Sequence, residues 1–217
     1  MKKVIIAILV IFTLPAMAQR KNHIGIHLSP MLGLPSTQAD FINSRFSFTT
    51  YNADISLIYS RDIGKILNLG VGAGIGTSKL NRVEFGETYS YPIMYVPAYV
   101  RAQVDFICQP TWRFYGAVKV GTRIGKTKDK DIWVSEENSR KTIYGYYPYM
   151  AHITPSIGYE IPIKDHRLGL ELSWDILWGA YNSLDFIEHP NSGEIVLLNY
   201  YDKRIRNSIG IGITYTL

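Results

Sequence analysis

"NLGVGAGIG", residues 68–76, has a glycine at every second position. The even positions from 70 to 76 are all glycine, and the odd positions from 69 to 75 are Leu, Val, Ala and Ile. A period of two is typical of a β-strand, whose successive side chains point to opposite faces. Glycine weakens a strand interior, so four in register indicate a face on which space is needed. The stretch therefore predicts a strand with one apolar face and one nearly bare face.

The same alternation recurs along the chain, and each stretch sets an apolar face against a polar or glycine face. The eight alternating stretches are 24–29, 51–60, 67–77, 96–106, 114–124, 151–161, 168–176 and 205–217. Short connections at 62–65, 107–112 and 162–167 alternate with long ones at 30–50, 78–91, 126–147 and 179–203. Tight periplasmic turns and larger external loops are typical of outer-membrane barrels. The pattern predicts an all-β protein, an eight-stranded antiparallel up-and-down transmembrane β-barrel with short periplasmic turns and long extracellular loops.

The first eighteen residues have the features of a signal peptide. Lys2 and Lys3 precede an apolar run at 4–14, and Ala16-Met17-Ala18 is an A-x-A cleavage site. We expect a signal peptide at 1–18 and one barrel domain at 19–217; the alternative is an N-terminal membrane anchor, for which the run is short. Because Gln19 and not a cysteine follows the site, a lipoprotein is not expected.

Charge and cysteine content exclude several classes of protein. The formal net charge of +5 is spread along the chain without a basic patch, so nucleic acid is not an expected partner. Cys108 is the only cysteine, so an exported chain cannot form an internal disulfide. The scattered histidines lack metal-ligand spacing, and no phosphate loop is visible. We expect neither a metal nor a cofactor.

Alternation alone does not decide which face of the wall is outside, since a soluble lipid-carrier barrel also alternates with its apolar face inward. Three features favour lipid contact: an apolar face without charges, a polar face too rich in glycine for a soluble exterior, and aromatic strand ends. The predicted aromatic girdle next to the short turns and the C-terminus is Tyr59, Phe106, Phe114, Tyr159 and Tyr215. Tyr51, Tyr149 and Trp174 are assigned to the opposite interface.

The opposite face carries charges of both signs in nearly equal number. The predicted lumen charge network is Asp54, Arg101, Asp105, Lys119, Arg123, Glu160, Glu171, Asp175 and Arg206. The interior of an eight-stranded barrel is just wide enough for side chains to fill it, so these charges should pair. The glycines of 68–76 would leave volume for long Arg, Lys and Tyr side chains from across the lumen, or let the wall bend. Pro97 and Pro155 lie inside predicted strands, where we expect a bulge or a local break.

Three segments carry a family resemblance: the signal peptide, "YPIMYVPAYVRAQVDF" at 91–106, and the closing "GIGITYTL" at 210–217. With them the chain resembles the small outer-membrane β-barrel domain proteins of Gram-negative bacteria, of the porin-like, PorT-like type of Bacteroidota. Gly212, Tyr215 and Leu217 occupy the places of the closing family pattern, although the family usually ends in Phe. The resemblance implies outer-membrane residence and assembly by the barrel insertion machinery. Outer-membrane lipids and lipopolysaccharide would surround such a barrel.

Two His and hydroxyl pairs share a strand face, His27 with Ser29 and His152 with Thr154. Some outer-membrane barrels are hydrolases with such a pair and an orienting carboxylate, so an acyl hydrolase of lipid A or phospholipid is one alternative. A soluble periplasmic lipid carrier is a second. The charge network suggests either a static plug or a gate.

The favoured hypothesis is a non-enzymatic outer-membrane barrel with a largely plugged lumen and a structural, porin-like or loop-binding role. Of the long connections, 126–141 is highly charged around Trp133, and 181–201 is apolar enough to predict a hairpin extension with its turn at 191–193.

Overall fold

The computed structural model describes residues 22–34, 51–84, 87–127, 130–134, 139–189 and 194–217. It describes side chains at 22–34, 51–79, 92–125, 150–179 and 205–217. The predicted signal peptide at 1–18 and the predicted turn at 191–193 lie outside the described residues. No described segment forms a helix long and apolar enough to cross a membrane.

Nine strands make up the described chain. They are β1 (Asn22–Gly33), β2 (Tyr51–Ile63), β3 (Leu67–Glu84), β4 (Glu87–Cys108), β5 (Arg113–Thr127), β6 (Lys130–Val134), β7 (Ser139–Ile163), β8 (His166–His189) and β9 (Glu194–Thr216). Consecutive strands pair antiparallel, except that β5 pairs with β7 and not with β6, and β1 pairs with β9. The wall is therefore a closed eight-stranded up-and-down barrel, which confirms the predicted fold. The ninth strand, β6, pairs only with the outer part of β7 among the described strands.

Side-chain exposure divides the wall into an apolar outside and a polar inside. Leu69, Val100 and Ile211 are 37%, 57% and 58% exposed, whereas Arg101 and Glu171 are buried. Along β1, along β2 as far as Ser60 and over residues 92–106 of β4, exposed and buried residues alternate, so the apolar face is outward over these stretches. This orientation is the one expected of a barrel with lipid around it.

Tight turns connect the strands at one end, hereafter the turn end. Gly64, at φ 75°, begins the β2–β3 turn, and Lys164, at φ 57°, begins the two-residue β7–β8 turn. The left-handed conformation at the first turn explains its glycine. Strands run further into these connections than the sequence predicts, because Asp62, Ile63 and Arg167 are strand residues.

At the opposite, outer end, the described residues of the connections from β3 to β9 continue the β-ladders as hairpins. The β8–β9 ladder runs from Gly179 and Arg204 to His189 and Glu194, which confirms the hairpin extension predicted over 181–201. The charged segment 126–141 likewise contains the end of β5, all of β6 and the start of β7. Paired strands rather than long loops therefore form much of the outer end.

Pro97 and Pro155 each interrupt the pairing with one of the two neighbouring strands, and the register is the same before and after the interruption. The β3–β4 pairing passes from Ala73–Ala98 to Gly76–Tyr95, so the pairs beside Pro97 are missing. The β7–β8 pairing similarly skips the pairs beside Pro155. Since proline has no N–H to donate, the predicted local breaks follow. The bulges lie elsewhere, for example at Phe106, between the paired residues Asp105 and Ile107.

Candidate functional site

The lumen is the candidate site, because most of the buried polar side chains of the described strands point into it. They form three tiers along the barrel axis. The outer tier is Asp54, Arg123, His152, Thr154 and Asp175; the middle tier is His27, Arg101, Lys119 and Glu171; the turn-end tier is His23, Asp62, Asp105, Arg113, Glu160 and Arg167.

The middle tier surrounds one carboxylate with cations. Lys119 Nζ lies 2.6 Å from Glu171 Oε1, and Arg101 Nη2 lies 3.2 Å from Glu171 Oε2. Lys119 also donates to His27 Nε2 at 2.6 Å, so His27 carries its proton on Nδ1, 2.8 Å from Thr214 Oγ1. Side chains from five strands thus meet across the lumen, and Glu171 supplies the charge that allows two cations to be buried there.

The outer tier has a similar arrangement around Arg123. Its guanidinium donates to Asp175 Oδ2 at 2.8 Å and lies 3.9 Å from Asp54 Oδ2. Thr154 donates to Asp175 Oδ1 at 2.6 Å, and His152 Nδ1 is 3.1 Å from the Thr154 hydroxyl. Because that hydroxyl proton goes to Asp175, His152 Nδ1 acts as the donor and its Nε2 is left as an acceptor.

Within the turn-end tier, Asp62 lies three residues beyond the girdle residue Tyr59 on β2, toward the β2–β3 turn. Asp62 accepts hydrogen bonds from His23 and Arg167 at 3.0 Å each and from Asn68 at 2.9 Å. Burial alone would raise the pKa of the Asp62 carboxyl, but these hydrogen bonds lower the pKa well below its ordinary value. Direct hydrogen bonds therefore keep the Asp62 carboxylate ionised.

Tyrosine rings explain the glycines of the opening stretch. The ring of Tyr99, on β4, lies against Gly72 of β3, where an added Cβ would be 2.5 Å from the Tyr99 Cζ atom. On its other side Lys119 Nζ lies 5.8 Å from the ring centroid. The space left by the glycine is thus filled by a tyrosine of the neighbouring strand, with a cation over the ring.

This glycine–tyrosine–cation arrangement occurs twice more, once with the outer-tier cation Arg123 and once with Arg101, the second cation of the middle tier. Gly76 lies under Tyr95 and Arg123, and Gly158 lies under Tyr115 and Arg101. At Gly74, by contrast, an added Cβ would meet the backbone of Ile55 and Ser56, so a glycine is needed for close backbone approach. The glycines therefore leave volume for tyrosine side chains, but these come from adjacent strands and not from across the lumen as predicted. Bending of the wall at these glycines stays a prediction.

Little open space remains between the tiers. Three water-sized cavities lie along the described lumen: an outer cavity of about 10 Å³ beside Arg206, a middle cavity of about 10 Å³ beside Ser29 and His152, and a turn-end cavity of about 20 Å³ beside Arg101 and Arg167. Each has room for about one water. A larger cleft of about 490 Å³ opens at the turn end between the β2–β3 and β4–β5 turns. The described lumen is therefore filled by side chains rather than open as a channel.

The structure brings eight of the nine residues of the predicted charge network into the tiers. The ninth, Arg206, is partly buried and lines the outermost cavity with Asn52 and Arg123. Sequence reasoning missed Asp62, Arg113 and Arg167, which it assigned to turns or their boundaries. The alternating pattern contained this information. Each of the three residues lies two positions from the nearest residue assigned to the polar face of its strand, and therefore on that same face.

The predicted catalytic pairs do not form catalytic contacts. His27 is bonded to Lys119 and Thr214, not to Ser29. His152 contacts Thr154, but that hydroxyl donates to Asp175 and not to the histidine. All four residues of the two predicted pairs are buried in the lumen: His27, Ser29, His152 and Thr154. They therefore lie away from the face that would meet lipid.

The five predicted girdle residues all have outward positions on their strands. Phe106 is the most exposed of them, at 61%. Tyr159 stacks on Trp112 with ring centroids 5.6 Å apart, and Tyr215 stacks on His166 at 5.6 Å. Phe106 and Phe114 are in contact at 6.1 Å, and Tyr59 is half-buried. At the other interface Tyr51 and Trp174 are exposed, and the Tyr149 side chain lies outside the described residues.

Solved bacterial surface and outer-membrane proteins have a similar fold. Neisserial surface protein A is 11% identical, over 91% of this chain and 98% of its own, with a TM-score of 0.48. A major outer membrane protein of Thermus thermophilus is 12% identical, over 91% of this chain and 100% of its own, with a TM-score of 0.49. OprG of Pseudomonas aeruginosa is 10% identical, over 91% and 97%, with a TM-score of 0.44. No protein-family model and no curated protein matches the chain.

Proposed function

We propose that this chain is an integral protein of a bacterial outer membrane, a non-enzymatic barrel whose lumen is closed by paired charges. The observation that carries the proposal is the polarity of the wall. Large apolar side chains are exposed on every barrel strand, while most of the described charged side chains of the same strands are buried or half-buried. In water such a surface would aggregate, whereas in a bilayer it is the stable orientation.

A closed lumen follows from the same arrangement. Hydrated ions are wider than the cavities of about 10–20 Å³ between the tiers. Opening a wider path would separate buried ion pairs such as Lys119–Glu171, at a cost of several kcal/mol for each unpaired ion. A static plug is therefore favoured over a gate, and contacts with other molecules would fall to the outer hairpins.

The alternative functions fit the geometry less well. A soluble lipid carrier needs its apolar face inward, the opposite of the arrangement of Leu69 and Ile211. A lipid hydrolase needs its nucleophile accessible to acyl chains, but Ser29 and Thr154 are each 1% exposed and face the lumen.

Cell fractionation followed by gel electrophoresis tests the proposal. The protein should be recovered with outer-membrane vesicles and should migrate differently when unboiled, because folded barrels resist dissociation by detergent. In a planar bilayer with KCl the folded protein should show no stepwise conductance. Recovery in a detergent-free periplasmic extract, or discrete channel openings, would contradict the corresponding part of the proposal. Release of fatty acid from lipopolysaccharide would instead indicate the hydrolase.

A further inference from the structure

The middle cavity contains buried polar atoms that no described side chain satisfies. Ser29 Oγ and His152 Nε2 have no hydrogen-bond partner among the described residues, and both residues line this cavity. Buried polar groups are almost always satisfied, and by ordered water where no protein group is present. A water in this cavity can accept from the Ser29 hydroxyl and donate to the free lone pair of His152 Nε2.

The middle cavity is linked to the turn-end cavity by a chain of direct hydrogen bonds. Lys119 lines the middle cavity and donates to His27 Nε2 at 2.6 Å. On its other side His27 Nδ1 is 2.8 Å from Thr214 Oγ1, and Thr214 lines the turn-end cavity. His27 is faced by Lys119 from β5, Glu171 from β8, Thr214 from β9 and Arg101 from β4. The His27 imidazole therefore joins the two cavities on this chain of bonds.

Further links connect the middle cavity to the outer end and the turn-end cavity to the rim. Tyr95 lines the outer cavity and donates to Asp54 Oδ2 at 3.3 Å, and Asp54 lines the middle cavity. The turn-end cavity is lined by Arg167, which donates to the partly exposed Asp62. Hydrogen-bonding groups and water-sized spaces thus alternate along the whole described lumen.

We propose that this lumen carries protons while it excludes larger ions. The proposal goes beyond the closed barrel proposed above and assumes that the barrel is inserted in a bilayer. A proton can move along a continuous chain of hydrogen bonds, whereas K⁺ and Cl⁻ need an open channel. The ion pairs that close the lumen to hydrated ions also hold this path in place.

One proton passes from the middle cavity to the turn-end cavity through Lys119, His27 and Thr214. The Lys119 ammonium gives a proton to His27 Nε2, and the Nδ1 proton passes to the Thr214 oxygen as the hydroxyl proton moves to water in the turn-end cavity. Lys119 then recovers a proton from a hydronium ion in the middle cavity. One proton has moved from the middle to the turn-end cavity, and the proton of the neutral imidazole now lies on Nε2. Rotation of the ring turns the Nε2–H toward Thr214 and the bare Nδ1 toward Lys119, so the next proton enters at Nδ1 and leaves from Nε2, which restores the first tautomer.

Proton flux into lipid vesicles tests the proposal. Purified full-length protein is reconstituted in phosphatidylcholine vesicles containing a pH-sensitive dye, and a K⁺ diffusion potential is imposed with valinomycin. Insertion is checked separately by flotation of the vesicles and by migration of the unboiled protein on a gel. We expect faster acidification than in protein-free vesicles, with no added K⁺ or Cl⁻ permeability.

Two variants interrupt the path at different bonds. Thr214→Val keeps the side-chain shape but removes the hydroxyl, and His27→Leu removes both ring nitrogens. Each should lower proton flux about tenfold, as expected for a barrier raised by one lost transfer step. Thr122→Val is the matched control, because Thr122 lies on β5 outside this path, and its flux should equal that of the unmodified protein.

The outcomes distinguish this proposal from the closed barrel. Inserted protein with no proton flux above background, or with flux unchanged in Thr214→Val and His27→Leu, overturns the proton path alone. Equal permeability to K⁺ and protons overturns both the path and the closed lumen. Failure of the unmodified chain to float with the vesicles would contradict membrane insertion itself.

Discussion

At the scale of single residues, Glu171 is the carboxylate on which the middle tier depends. Both its oxygens are occupied by cations, Lys119 at 2.6 Å and Arg101 at 3.2 Å. Removing one partner of a buried pair leaves an uncompensated charge and costs about 3–5 kcal/mol. We expect Glu171→Gln to lower the free energy of unfolding by that amount, measured by urea titration of detergent-folded protein on unboiled gels.

A surface carboxylate gives the control for this variant. Asp165 lies in the exposed two-residue turn between β7 and β8. Asp165→Asn should change the free energy of unfolding by no more than about 0.5 kcal/mol. Equal effects of the two substitutions would show that the lumen is too wet for pairing to matter.

Two lumen glycines on neighbouring strands differ in the space around them. A Cβ on Gly158 would overlap the ring of Tyr115, whereas a Cβ on Gly169 would find its nearest neighbour at 3.4 Å. Gly158→Ala should destabilise the barrel by about 1–3 kcal/mol through overpacking. Gly169→Ala should be neutral or stabilising by up to about 1 kcal/mol, since it restricts the unfolded chain. Thermal unfolding in micelles measures both, and a larger loss for Gly169→Ala would contradict the glycine–tyrosine–cation arrangement.

At the scale of strands, the outward face of β9 is a direct probe of lipid contact. Ile211 is 58% exposed and lies between inward-facing glycines. A lysine near the bilayer midplane costs about 2–4 kcal/mol, and one near the interface about 0–1 kcal/mol. Thr77 lies on the outward face of β3, two residues from Lys79. Ile211→Lys should therefore destabilise the vesicle-inserted barrel far more than Thr77→Lys does. Equal tolerance in urea titrations from lipid vesicles would mean that this face is not in lipid.

The ends of β1, β2 and β8 meet in the turn-end tier, where pH should matter. Asp62 has a lowered pKa, so its contribution is present above the unfolded pKa of about 3.9 and is lost as pH falls toward the lower folded value. At pH 7 Asp62→Asn should cost about 1.5–3 kcal/mol, the range for hydrogen bonds to a charged group. The difference between the two proteins should shrink below about pH 4, as followed by urea titration across pH. A difference that grows in acid would reverse the assigned sign.

Period-two alternation was sufficient to predict the barrel and the direction of its side chains, because lipid and lumen impose opposite polarities on successive residues. It could not predict the ends of the strands. Asp62 and Arg167 look like turn residues, since charged groups are common in turns, and only their tertiary partners place them in the lumen. Partner choice was also beyond the sequence: Ser29 shares a strand face with His27 but lines a cavity with His152, from a strand far along the chain.

For the whole molecule, the structure separates a wall that holds the fold from hairpins that extend beyond it. The described ion pairs and glycine–tyrosine–cation arrangements lie within the barrel, below the level at which the β8–β9 ladder continues to His189 and Glu194. Stability should therefore reside in the wall, and the outer hairpin should be dispensable for folding.

Truncation of that hairpin tests this division. Ser183 pairs with Tyr200, so residues 184–199 can be replaced by Asn-Gly, which favours a two-residue hairpin turn. We expect the truncated chain to insert into vesicles, to migrate as a folded barrel when unboiled, and to unfold within about 1 kcal/mol of the full chain, because every tier is unchanged. Asp175→Asn is the comparison, since it keeps the hairpin but leaves Arg123 with its 3.9 Å contact to Asp54. If truncation were the more damaging change, the hairpin and not the lumen would be holding the barrel closed.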